Sequence, residues 1–230
     1  MSLIKVNSII HPTGTANNIT LDNAGKIYLA NTALGTANAG LLEYSTQSLY
    51  FTPTGLQRGV IPGQQMFILN TNFVGQNINT VQPVFNVGVT LAANTTYAFD
   101  AFYAAFKTAG TTAHSVGLGF GGTATVNSIL YYGVGDNTAG SLPLQSYSSL
   151  THAVSNSVAN ALYVPSTAQA SVVWYTRLTG IININAAGTF IPQYTLSAAP
   201  GSAYTTAAGS YFLIYPVATG TANVAIGTWA

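Results

Sequence analysis

Residues 170–185 read ASVVWYTRLTGIININ, and this stretch indicates the class of fold more clearly than any other. Apolar side chains recur at every second position, which is the period of a β-strand with one buried face. Two runs carry the pattern: Val172, Trp174, Thr176 and Leu178 in a strand over 170–179, then Ile182 and Ile184 between asparagines. Residues 186–188, Ala-Ala-Gly, break the alternation and predict a turn.

Further short strands surround this one. They are predicted at 67–70, 84–91, 115–120, 128–134, 190–197 and 211–217, with clusters of glycine, proline and asparagine between them. Many short strands divided by turn signals are typical of an antiparallel sandwich or barrel. We therefore predict an all-β protein whose main domain is an antiparallel, jelly-roll-like β-sandwich.

One segment fits two kinds of element. Residues 96–107, TYAFDAFYAAFK, place aromatic residues at helical spacing, yet alternate positions would also line one face of a strand. That strand face would carry Tyr97, Phe99, Ala101, Tyr103 and Ala105. The aromatic content and the β-rich surroundings favour a buried strand, so a strand is predicted here.

The N-terminal part differs from the rest of the chain. Residues 1–55 carry small, punctuated strands in ANNITLD, GKIYLAN, AGLLEYS and SLYFTP, and the tetrapeptide GTAN occurs at both 14–17 and 35–38. Residues 55–63, GLQRGVIPG, have the composition of a hinge. We predict two domains: an extended β arm or stalk with its hinge at 1–63, and the β-sandwich head at 64–230.

The low charge of the chain is its most unusual property. Five basic and four acidic residues occur in 230, whereas globular domains average about a quarter charged residues. So few charges would do little to keep a monomer soluble, which favours a permanent multimer whose subunits cover one another. Five dispersed basic residues make no phosphate-neutralising patch, so binding of nucleic acid is disfavoured.

The absence of cysteine and the hydropathy pattern further narrow the classes of protein to which this chain could belong. The chain has no cysteine, so neither a disulfide framework nor a thiolate metal site is available. The N-terminal residues lack the continuous apolar run of a signal peptide. No run of about 18 apolar residues exists either, so no membrane insertion is expected.

A glycine motif in residues 114–125, HSVGLGFGGTAT, raises the possibility of a nucleotide site. Gly117, Gly119 and Gly122 satisfy the G-x-G-x-x-G spacing of a dinucleotide-binding loop. A functional loop of this kind opens a helix and is followed by an acidic residue about twenty positions later. Here a β-branched and aromatic segment follows, and Asp136 comes too early. We predict a strand and a turn at this place, and no cofactor.

The ionisable residues predict neither a metal centre nor a catalytic site. General acid–base catalysis needs two positioned titratable groups, and four carboxylates in the whole chain leave almost no such pairs. Asp100 interrupts an aromatic run, and we expect a structural ion pair with Lys107 or Arg177, or an exposed strand position. The histidines have no ligand-like spacing, although three copies of one could meet on a trimer axis: His11, His114 and His152.

Aromatic side chains offer one further possibility, a platform for a sugar, because their flat faces stack on pyranose rings. The candidates are Tyr131, Tyr132, Tyr147 and Trp174. Packing in a core or between subunits is the commoner use of such residues, and we favour that interpretation. No catalytic, cofactor-binding or metal-binding residue is therefore assigned from the sequence.

Five segments resemble segments of structural proteins of tailed phages, especially cyanophages, and together make up roughly half of the chain. They are GTANNITLDNAGKIYLAN (14–31), AGLLEYSTQSLYFTPTGLQRGVIPG (39–63), VFNVGVTLAANTTYAFDAFY (84–103), TTAHSVGLGFGGTAT (111–125) and INAAGTFIPQYTLSAAPGSAYTTAAGSYFLIYPV (184–217). The resemblance implies a thin N-terminal β stalk followed by a β-sandwich head, and it brings no catalytic residues with it.

The function implied by the resemblance is non-enzymatic virion structure. A homotrimeric capsid decoration (cement) protein would grip the major capsid protein and stabilise the shell. A short tail fibre would instead contact tail proteins and recognise a host surface glycan with its head. The lack of a long shaft favours decoration, and the expected location is the virion, assembled in the host cytoplasm. A free carbohydrate-binding module is a further alternative, whereas a glycan hydrolase would need a carboxylate pair.

Overall fold

A computed structural model describes residues 8–10, 17–21, 26–45, 48–54, 57–139, 150–159, 162–225 and 229. Within these residues every regular element is a β-strand, which confirms the predicted all-β class. The chain divides into two compact units, one formed by Met1–Gly63 with Ala222–Ala230 and the other by Gln64–Thr221. The head predicted at 64–230 is thus longer than the second unit by residues 222–230.

The first unit contains two small antiparallel sheets with the strand orders β1-β2-β3 and β4-β5-β6. Glu43, on β4, pairs with Arg58 at 2.8 Å and accepts a hydrogen bond from the Gly35 amide at 3.0 Å. The strands are β1 (Ser8–Ile10), β2 (Asn17–Leu21), β3 (Ile27–Leu29), β4 (Leu41–Ser45), β5 (Ser48–Thr52) and β6 (Gly59–Ile61).

The second unit is an antiparallel β-sandwich, as predicted, and contains thirteen strands in its described residues. They are β7 (Gln65–Ile68), β8 (Phe73–Val74), β9 (Gln82–Pro83), β10 (Val89–Leu91), β11 (Thr95–Lys107), β12 (His114–Gly121), β13 (Thr125–Ala139), β14 (Leu150–Ser155), β15 (Leu162–Thr167), β16 (Val172–Ala186), β17 (Gly188–Leu196), β18 (Thr205–Thr206) and β19 (Tyr211–Thr219).

These strands form a large and a small sheet. The large sheet has the order β14-β13-β16-β11, after which β19 and β18 share the next position and β7 and β8 share the last. The small sheet has the order β15-β12-β17, with β9 and β10 both paired to the free side of β17. The side chains between the two sheets form one hydrophobic core.

Strands β11 and β16 lie in the middle of the large sheet and are paired along thirteen consecutive residues. In β11 the five residues predicted to share a face are all buried, so the ambiguous segment is a strand. In β16 the two alternating runs merge into one continuous strand. Gly180 lies between Phe99 and Tyr131 in neighbouring strands, and a Cβ there would collide with Tyr131. The missing side chain therefore lets these two rings approach to 6.2 Å.

The core is rich in aromatic rings contributed by both sheets. Phe120 of the small sheet stacks on Phe190 at 4.6 Å and meets Phe99 and Tyr131 of the large sheet edge-on at 5.3 and 5.4 Å. Such offset and edge-to-face pairs each add about 0.5–1.5 kcal/mol beyond the burial of their area. Phe120 is therefore a central contact between the two sheets.

One predicted strand is mostly wrong. Residues 84–91 were expected to be extended throughout, but only Val89–Leu91 form a strand. Asn86 has a φ of 57°, in the left-handed region that strands do not use. Val84 and Phe85 are nevertheless buried in the core, which explains why the segment is apolar although most of it is not paired as a strand.

Candidate functional site

The outer face of the large sheet carries a depression of about 590 Å³ with an unusual mixture of side chains. Alternation along the strands places the core residues on the inner face and leaves their neighbours in sequence on the outer one. Cross-strand register then brings Tyr132, Thr179 and Asp100 into one row, and Val134, Arg177 and Phe102 into the next. The lining residues are Asp100, Phe102, Tyr132, Val134, Tyr175, Arg177 and Thr179.

An ion pair lines this depression, and Tyr211, which is not a lining residue, joins it from the side. Arg177 donates from Nε and Nη2 to Oδ2 of Asp100 at 3.3 and 3.2 Å, and the Tyr211 hydroxyl donates to Oδ1 at 2.7 Å. The Asp100 side chain is 23% exposed whereas Arg177 is 68% exposed. The hydrogen bond to Asp100 raises the pKa of Tyr211, with burial adding to the effect. The carboxylate is thus held from two sides while much of the guanidinium faces solvent.

The described side chains of this depression combine flat apolar faces with one ion pair. The exposed rings of Phe102 and Tyr132 provide flat apolar faces, and the Asp100–Arg177 pair provides acceptors and donors with no net charge. Among the side chains that the structure describes, Asp100 is the one carboxylate that lines the depression. Across the described part of the chain, no group of three or more His, Cys, Asp or Glu residues could hold a metal ion.

A second exposed apolar surface lies at the β7 edge of the sandwich. We call Met66, Phe67, Ile68, Val74 and Val87 the edge patch; all five are exposed or partly exposed, and four of them exceed 40%. Next to them is an opening of about 380 Å³ between the edges of the two sheets, lined mainly by apolar side chains. Every residue of β7 is exposed although alternate side chains point to opposite faces, so this strand is only partly covered on its inner face as well as open on its outer one.

The glycine motif forms the predicted strand and turn. Gly117 and Gly119 lie within β12, which is paired to β15 on one side and β17 on the other. Gly122 follows in a turn with a φ of 114°, and a Cβ there would collide with the Thr189 carbonyl. The next element is strand β13 and not a helix. The glycines therefore permit close packing between strands, and no helix N-terminus is available for a pyrophosphate.

His114 is a buried polar residue whose two ring nitrogens are both hydrogen-bonded. Its Nδ1 donates to the Thr112 carbonyl at 2.7 Å, because a carbonyl can only accept, and Nε2 consequently accepts from the Tyr204 hydroxyl at 2.8 Å. Burial lowers the pKa of His114. His11 and the side chain of His152 lie outside the described residues, so whether copies of either could meet on an axis stays untested.

The expected ion pair of Asp100 forms with Arg177 and not with Lys107. Lys107 ends β11 on the inner face and is only 2% exposed. The three N–H bonds of its ammonium group are shared among four backbone carbonyls: Ala109 at 3.2 Å, Gly110 at 2.6 Å, Gln169 at 2.6 Å and Ala170 at 3.3 Å. Burial lowers the pKa of Lys107. This lysine therefore fastens the loop after β11 to the loop before β16.

The four candidate sugar-stacking residues separate in the structure. Tyr131 and Trp174 are buried in the core, and Tyr147 lies outside the described residues. Tyr132 is exposed, because it follows Tyr131 on the same strand and so points to the opposite face. Sequence reasoning missed Phe102 as its partner in the depression. The sequence pattern could have identified it, because Phe102 alternates with the residues of β11 that were predicted to be buried and so points to the opposite face.

The described part of the chain is all-β, and its two-sheet sandwich exposes apolar side chains at the edge patch and on the outer face of the large sheet. Comparisons with known protein families, with curated proteins and with solved structures gave no match for this chain. Among the described residues, no helix is long and apolar enough to cross a membrane.

Proposed function

We propose that this protein is a non-enzymatic structural protein of a tailed-phage virion, and specifically a homotrimeric capsid decoration (cement) protein. In this role it binds copies of itself and the major capsid protein, and it stabilises the shell of the virion. The resemblance of five segments to phage structural proteins suggests the context. The proposal concerns assembly only and assigns no cofactor and no nucleic-acid contact.

The observation that carries the proposal is the exposure of apolar side chains on a sandwich with almost no charge. Only four residues between 64 and 221 are charged: Asp100, Lys107, Asp136 and Arg177. Lys107 is buried, and Asp100 and Arg177 neutralise each other. Large apolar side chains are exposed both at the edge patch and on the outer face of the large sheet. Extensive apolar surfaces of this kind are typical of permanent interfaces.

Immunogold labelling of intact virions with antibody against the sandwich tests this function. Gold distributed over the capsid is the expected result, and shell stability with and without the protein would then measure its contribution. Gold confined to the tail would contradict decoration and support a tail location. Virions without any label would contradict a structural role in the particle altogether.

A second candidate function is a short tail fibre that recognises a host surface glycan, and the outer-face depression favours it. Phe102 and Tyr132 could stack on the apolar face of a pyranose ring, and the Asp100–Arg177 pair could accept from and donate to neighbouring hydroxyl groups. A volume of about 590 Å³ is within the usual range for small-ligand sites. The neutral ion pair suits an uncharged sugar.

Saturation-transfer NMR with the methyl glycosides of glucose, galactose, mannose and N-acetylglucosamine tests this second function. The wild-type protein is expected to transfer saturation to at least one of them, and Tyr132→Val is expected to abolish the transfer. Leu130→Val is the matched control, because Leu130 is exposed on the same strand and face but does not line the depression. Equal signals from both variants, or none from the wild type, would remove the support for a sugar site.

A further inference from the structure

Strand β7, at the edge patch, carries neither a charged residue nor a proline among its four residues. Exposed edge strands are normally shielded by charged side chains, by proline, or by a covering loop, because their free peptide groups can pair with another chain. No charged residue occurs anywhere between Arg58 and Asp100. Strand β7 is paired to β19 on one side only, and no described strand pairs with its other side.

The backbone of β7 has hydrogen-bonding groups at this border that pair with no described strand. Leu69, directly after β7, donates its N–H to the Ser210 carbonyl at 2.9 Å, and its own carbonyl accepts from the Gly209 N–H at 2.8 Å. The N–H and the carbonyl of Leu69 therefore both point toward the segment that leads into β19. Because peptide groups alternate in direction along a strand, those of Ile68 and Met66 point toward the open side.

The side chains at the border are apolar as well. Met66 and Ile68 point to the outer face, whereas Phe67 points inward and meets Phe85 edge-on at 5.5 Å. The five side chains of the edge patch together expose on the order of 400 Å² of apolar surface, as much as the largest patch on many monomers. A standard interface buries about 800 Å² on each partner, so this patch could form the apolar centre of one.

We infer that the edge patch is the surface through which copies of this chain contact one another, with the patches of neighbouring subunits buried together. The partner surface must be uncharged, because any charge placed against the patch would lose its water without gaining a counter-charge. The edge patch of a second copy meets this requirement and also supplies apolar side chains and a free strand border. The outer-face depression fits less well because it exposes Arg177. This inference rests on the self-association that belongs to the proposed function.

Light scattering coupled to size-exclusion chromatography tests the interface with two matched double variants. Met66→Lys with Ile68→Lys charges the edge patch at side chains that are 52% and 45% exposed. Leu130→Lys with Ile181→Lys is the control, because these neighbours on the outer face are 59% and 45% exposed and lie on other strands of the same sheet. We expect the edge variant to fall to the 23.8 kDa of a single chain, and the control to keep the wild-type multimeric mass.

Three results would overturn the inference. A multimeric edge variant would show that the subunits meet elsewhere, and it would leave the virion role to be judged by immunogold labelling. A control that dissociates while the edge variant does not would move the contact to the outer face. A wild-type protein of 23.8 kDa would remove self-association and, with it, the proposed homotrimer, whereas the location of the protein on the virion would be decided separately.

A second measurement covers the case in which the edge variant fails to fold. The chain contains no cysteine, so Ile68→Cys and Leu130→Cys each create a single thiol without added charge. A thiol in a buried contact can react only in the dissociated fraction of the protein. Ile68→Cys should therefore react with a polyethylene-glycol maleimide at least about tenfold more slowly than Leu130→Cys does. Equal reaction rates in the two native proteins would overturn the inference.

Discussion

Lys107→Met is expected to destabilise the sandwich strongly, although the new side chain is apolar and similar in length. The ammonium group of Lys107 shares its three N–H bonds among four backbone carbonyls, and its two shortest hydrogen bonds, of 2.6 Å, go to the Gly110 and Gln169 carbonyls. A hydrogen bond to a charged group contributes about 1.5–3 kcal/mol. Because burial lowers the pKa of Lys107, part of this gain is offset by the cost of desolvating the charge.

The two short hydrogen bonds therefore determine the size of the expected loss of stability. Methionine preserves the packing of the stem but leaves carbonyls of two loops without a donor, and we expect a loss of about 3–5 kcal/mol in the free energy of unfolding. For a unit of this size each kcal/mol lowers the Tm by about 2–4 °C, so the Tm should fall by about 10 °C.

Urea unfolding followed by tryptophan fluorescence measures this change, since Trp174 is fully buried in the sandwich. Arg177→Met is the matched control: it removes a positive charge from an exposed ion pair, which contributes at most about 1 kcal/mol. The reasoning would be refuted if Lys107→Met unfolded within about 1 kcal/mol of the wild type, or if both variants lost the same amount.

Gly122→Ala should cost about 2–3 kcal/mol in thermal or urea unfolding, because its φ of 114° is unfavourable for alanine and a Cβ would collide with the Thr189 carbonyl. Gly220→Ala, at a φ of 77° with open space around the Cβ, should lose only about 1 kcal/mol, and equal losses would contradict the collision. Phe120→Ala should lower the free energy of unfolding by about 3–5 kcal/mol and reduce the near-ultraviolet dichroism of the packed rings. Burial lowers the pKa of His114, so the unfolded chain takes up the proton first as the pH falls below about 6.5, and stability should decrease with falling pH. His114→Gln should flatten this pH dependence in urea titrations at a series of pH values, and an unchanged slope would assign it to other groups.

The strands were largely predictable because burial leaves a direct trace in the order of residues. In β11 and β16 the period-two pattern marks the inner face almost residue by residue. The same pattern predicts that Tyr131 and Tyr132 point to opposite faces, although it does not say which one is outside. The failure at 84–91 has an equally local origin, because apolar residues next to Asn86 enter the core from an irregular segment.

The surfaces that support a function were less predictable. Phe102 and Arg177 are 75 residues apart in sequence, yet they face each other because β11 and β16 pair in one particular register. Asp100 had two possible partners in the sequence, and only the positions of the strands exclude Lys107, whose ammonium group lies among the carbonyls of two loops. The edge patch likewise depends on which strand occupies the border of the sheet.

The sequence by itself determined the all-β class, most of the strands, the near absence of charge, and the strand and turn at the glycine motif, because these depend on local periodicity and composition. Only the tertiary structure decided which polar groups meet, which aromatic rings remain exposed and which strand is left uncovered. The physical reason is that strand alternation selects a face, whereas partners across a sheet are set by register and strand order, which arise from contacts between residues far apart in the chain.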